Sequence, residues 1–66
     1  MTREQLRAFL AFCDHLPGTP HEQRRRAVDL VMHQLARRTP AGWLPDILYA
    51  HGLPRHAKAL DEILAL

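Results

Sequence analysis

The stretch Thr19 to Arg38, TPHEQRRRAVDLVMHQLARR, constrains the fold more than any other part of the chain. After Pro20 it contains neither glycine nor proline, and alanine, leucine, methionine, glutamine and arginine, all good helix formers, dominate it. At 3.6 residues per turn it predicts a single helix of about five turns. Thr19-Pro20-His21-Glu22 reads as its start, with a hydroxyl cap, a proline at the first helical position and a glutamate able to reach back to a free amide. Thr39-Pro40 reads as its stop, because the residue before a proline is driven out of the helical region.

The apolar positions of this helix are Ala27, Val28, Leu30, Val31, Met32, Leu35 and Ala36, mostly three and four apart, and they begin only after two polar turns. Arg24, Arg25 and Arg26 are consecutive and fan out over about 200° of the helix, so they cannot share one direction. Arg37 and Arg38 fall in the last turn, where cations complement the helix dipole. Such charges are expected first as a solvated face with favourable end charges and second as a binding surface. Between Arg24 and Arg38 five arginines stand against one acid, Asp29, although the whole chain carries a formal charge of only +2. A mild excess of this kind permits acidic partners without requiring them.

At 66 residues the chain is expected to form one helical domain, residues 1–66, near the size at which a single core barely suffices. Cys13 is the only cysteine, which excludes an internal disulfide and fits a reducing compartment. No stretch approaches the roughly 18 apolar residues of a membrane span or has the layout of a signal peptide. The expectation is a complete bacterial cytoplasmic protein.

Thr2-Arg3-Glu4-Gln5 offers another capped start, followed by Leu6, Phe9, Leu10, Cys13 and Leu16 at helical spacing, with Ala8 and Phe12 widening the apolar arc. This predicts a helix over residues 3–16, ended by Pro17-Gly18 and folded against residues 20–38 as an antiparallel hairpin whose facing stripes supply most of the core. Trp43, the one large side chain of the turn-rich segment 39–45, is expected to plug the end of that hairpin. Residues 45–51 predict a short third helix terminated by Gly52 in the left-handed conformation, with Leu53 folding back onto it. Pro54 opens a fourth helix with Ala57, Leu60, Ile63 and Leu64 along one side. The fold class expected is all-α, a small bundle of three to four helices.

Cys13, His15, His21, His33, His51 and His56 invite a metal reading, but no two histidines share a helical separation of three or four. His51 and His56 flank the Gly52 turn and could converge, yet two ligands do not make a structural zinc site. No metal or cofactor is expected. There is no phosphate loop, nucleophile motif or distinctive carboxylate pair, and little volume for a sheltered pocket, so no enzymatic activity is expected either.

Residues 45–66 have the outline of a helix-turn-helix, which keeps DNA or RNA binding open as an alternative. Its second helix would display Arg55, His56, Lys58, Asp61 and Glu62, a face without the strong positive balance that phosphates favour. The broader expectation is a non-enzymatic adaptor, inhibitor or transcription modulator that binds an acidic protein surface and self-associates, since its apolar surface exceeds what so short a chain readily buries. The contact residues expected are Arg24, Arg25, Arg26, Arg37 and Arg38, with Trp43 and Phe12 as apolar anchors.

Overall fold

All 66 residues are described by the computed structural model. Four α-helices and one 3-10 turn follow in order: α1 (Arg3–His15), α2 (His21–Ala36), the turn Ala41–Trp43, α3 (Leu44–Ala50) and α4 (Pro54–Leu64). The chain is an all-helical bundle with a radius of gyration of 10.6 Å.

α1 begins as its sequence predicts. The Thr2 hydroxyl accepts from the Gln5 amide at 3.1 Å, while the Gln5 side-chain carbonyl accepts from the Thr2 amide at 2.8 Å. Two amides that the helix leaves unpaired are thereby satisfied. α2 starts differently from expectation. Pro20, extended at φ −57° and ψ 143°, takes the capping position, and no side chain caps the helix. Thr19 lies one residue too far out for its hydroxyl to reach the first-turn amides, and its Oγ1 is buried without a partner.

The other end of α2 also departs from the sequence reading. The helix closes at Ala36, two residues before Arg38, through a Schellman motif: Arg38 donates to the Leu35 carbonyl and Thr39 to that of Gln34, each at 3.0 Å. Arg38 occupies the left-handed position, φ 62°, where glycine is usual. α3 ends in the same motif with the residue type expected. Gly52, at φ 74°, donates to the Tyr49 carbonyl, and Leu53 donates to that of Leu48. Leu53 then turns inward and is buried, as the sequence predicts.

The core consists of Phe9, Cys13, Ala27, Val31, Leu44, Leu48, Leu53, Ala57 and Leu60. α1 contributes two of these and α2 two, while the remaining five come from Leu44 onward. The expectation that the facing stripes of the first two helices supply most of the core is therefore corrected. α2 carries small residues, Ala27 and Val31, at its fully buried positions, whereas the C-terminal half brings four leucines. α4 packs against α1, α3 and the 3-10 turn, and α1 packs against both α2 and α4.

Trp43 also contradicts its expected place. It is 63% exposed, and the neighbouring Leu44, 1% exposed, fills the interior instead. The 3-10 turn, in which the Trp43 amide donates to the Pro40 carbonyl at 3.0 Å, leads directly into α3 and turns residue 44 rather than 43 toward the core.

Candidate protein-binding surface

The five arginines expected to form one contact surface are divided by the fold into three environments. Arg24 forms an ion pair with Asp14 of α1, and its other terminal nitrogen lies 3.2 Å from His21 Nδ1. Arg26 donates from Nη2 to the His51 carbonyl at 3.0 Å, placing a cation at the C-terminal end of α3, where the helix dipole favours it. Arg25 reaches only Asp29, at 3.9 Å between two largely exposed side chains, a pair worth little. Two members of the run thus hold helices together.

Arg37 and Arg38 remain. Both are exposed, and neither forms an ion pair or a side-chain hydrogen bond with another residue. The Schellman turn and the 3-10 turn after it join them to Trp43 within a short, tightly hydrogen-bonded corner. The Thr39 hydroxyl, donating to Gln34 Oε1 at 2.7 Å, pins the middle of that corner to α2. Two free guanidinium groups and an exposed indole are therefore held on a connector with little freedom of its own. Arginine and tryptophan are the residue types that most often dominate binding energy at protein interfaces.

The last predicted anchor, Phe12, is half-buried on α1, and its ring meets that of His56 edge to face, with centroids 6.0 Å apart. It is occupied within the fold. His56 itself corrects a sequence expectation: instead of facing solvent on α4 it is 2% exposed, between the exposed Arg55 and the buried Ala57. Its Nε2 has no hydrogen-bond partner in the protein. Burial, with Arg55 beside it, pulls its pKa below the ordinary histidine value of 6.5. No signal in the sequence distinguished His56 from the other four histidines, because its burial depends on α1 lying across α4.

The remaining histidines and the cysteine do not assemble. His51 donates from Nδ1 to the Ile47 carbonyl at 2.8 Å on the surface, whereas His56 points into the interior, so the two do not converge. Cys13 is buried, and its thiol is pushed up from 9.0 to about 11 by burial first and by the Asp14 carboxylate second. No three histidine, cysteine or acidic side chains are placed to hold a metal ion. The groove between α1 and α2, about 430 Å³, is crossed by the Arg24–Asp14 pair and has only Leu10 and Val28 as apolar lining.

In α3-turn-α4, the presumed helix-turn-helix, the second helix buries His56, Ala57 and Leu60 and exposes Arg55, Lys58, Asp61 and Glu62, two cations against two anions. No helix is long and apolar enough to cross a membrane. No protein-family model, curated protein or solved structure matches the chain.

Proposed function

We propose that this protein is a small non-enzymatic binding regulator, an adaptor, inhibitor or transcription modulator, that docks an acidic protein surface on the corner between α2 and α3. Trp43 is the apolar anchor, and Arg37 and Arg38 are the cations that meet carboxylates. The observation that carries this reading is the 63% exposure of Trp43, five positions after Arg38, together with the absence of an ion pair at either Arg37 or Arg38. A tryptophan left in water forgoes burial worth roughly 2–3 kcal/mol, which an interface recovers.

Met32, Tyr49 and Leu66 are also exposed and give a second copy apolar surface to cover, in keeping with self-association. The lone buried thiol fits a reducing compartment such as the cytoplasm. Nucleic-acid binding is the competing reading, and the balanced charge of the exposed α4 residues gives it less support.

The test is quantitative capture from extract of the native cell, with and without nuclease treatment, by the wild type, by Trp43→Ala and by an Arg37→Glu/Arg38→Glu double variant. Partners should be recovered by the wild type and lost by both variants, with circular dichroism unchanged. Once a partner is in hand, Trp43→Ala should weaken its Kd by roughly thirtyfold, about 2 kcal/mol. Equal recovery by all three proteins would remove the corner from consideration, and capture abolished by nuclease would favour the nucleic-acid alternative. Sedimentation velocity at several concentrations reads self-association directly.

A further inference from the structure

The contact between Phe12 of α1 and His56 of α4 lies apart from the corner described above, and its two partners behave very differently in acid. The imidazole is 2% exposed and its Nε2 is buried without a hydrogen-bond partner in the protein. Phe12 meets it edge to face, with the ring centroids 6.0 Å apart, and carries no charge that could pair with an imidazolium. We propose that this contact is an acid-sensitive latch: protonating His56 releases α1 from α4 and uncovers Phe9, Phe12 and Cys13, the apolar surface that α1 keeps covered.

The charged groups around the latch oppose a second positive charge. Arg55 adjoins His56 on α4, with its Nη2 donating to the Pro17 carbonyl in the link after α1, and Lys58 lies in the same groove as Phe12 and Leu16. Glu62, further along that groove, is the only carboxylate there. On α1, Asp14 is engaged by Arg24, Cys13 is a buried neutral thiol, and His15 is exposed. α3 offers Asp46 and Tyr49, both exposed, and the 3-10 turn carries no titratable side chain.

In the closed form, burial first and Arg55 second hold the ring's pKa below the ordinary histidine value. Once α1 has lifted away, His56 meets water and titrates near its ordinary value of 6.5. As pH falls below that value, the open form takes up a proton more readily than the closed form, so the closed form is favoured above pH 6.5 and progressively disfavoured below it. The bias grows by up to about tenfold in the opening equilibrium per pH unit, the limit for one proton. It levels off once pH drops below the depressed value of the closed form.

Native-state hydrogen exchange of the intact chain between pH 7.5 and pH 5, corrected for the intrinsic rate, measures that equilibrium helix by helix. The α1 amides should lose protection by up to about tenfold per unit below 6.5 while those of α3 hold. His56→Phe, which keeps an aromatic contact and removes the titration, should abolish the pH dependence. Equal pH dependence in wild type and variant, or loss of protection in all four helices together, would overturn the latch. Should the variant fail to fold, the His56 ring resonances of the wild type decide the matter, since titration at or above 6.5 also overturns it and titration well below supports it.

Discussion

The Arg26 guanidinium donates to the His51 carbonyl oxygen at 3.0 Å, across 25 positions of sequence, and in doing so ties the first half of α2 to the end of α3. The His51 carbonyl belongs to the cap of a helix whose last carbonyls lack intrahelical donors. The bond therefore satisfies an acceptor and places a cation at the negative end of a dipole. Arg26→Met, which keeps the aliphatic stem, should lower stability by about 0.5–1.5 kcal/mol in urea denaturation. It should leave partner affinity untouched. A variant as stable as the wild type would show that water replaces the guanidinium at no cost.

The two threonines that precede helices should respond oppositely to truncation. Thr2 caps α1 through a reciprocal pair of bonds with Gln5, so Thr2→Ala should cost about 1 kcal/mol. Thr19 carries a buried hydroxyl that bonds to nothing in the protein, so Thr19→Ala should be neutral or slightly stabilising. Thermal melts of the two single variants make the comparison. Equal destabilisation by both would mean that the Thr19 hydroxyl is satisfied after all.

Arg38 is the only non-glycine residue with positive φ. A left-handed L-residue carries a steric cost of about 1 kcal/mol that glycine does not. Arg38→Gly should accordingly raise stability by about that amount and the Tm by several degrees, given how small the domain is. The same change removes one of the two cations from the proposed docking corner, so affinity for an acidic partner should fall while stability rises. This opposition separates a cost retained for binding from one without consequence.

Cys13 should behave as an inert hydrophobe. Its thiol is buried and held up at about 11, so at pH 8 almost none is present as the nucleophilic thiolate. Reaction with a disulfide reagent should be slow in the native protein and fast in denaturant. Rapid native labelling at pH 8 would place the thiol at the surface.

Several local features were legible because each is encoded within one turn of chain. Thr2 and Gln5 are three residues apart, Gly52 and Leu53 carry the glycine and apolar residue that a Schellman ending requires, and Pro54 supplies a helix start. Thr19-Pro20 misled because two arrangements of the same residues are locally acceptable, and the chain places proline, not threonine, at the cap. Within the candidate surface, Arg37, Arg38 and Trp43 could be named from residue type alone. That Arg24 and Arg26 are engaged elsewhere could not, because Asp14 and the His51 carbonyl lie 10 and 25 positions away.

The sequence by itself determined an all-helical chain with four helices, most of their limits and the two glycine turns, since backbone hydrogen bonds and caps are settled between near neighbours. Only the tertiary structure decided that α4 lies against α1, α3 and the 3-10 turn, that Leu44 enters the core while Trp43 stays in water, and that one histidine of five is buried. Those outcomes depend on which faces cover one another once the helices dock. That choice is made by the fit of side chains distant in sequence, chiefly the leucines of the C-terminal half against Phe9 and Cys13, and no local periodicity records it.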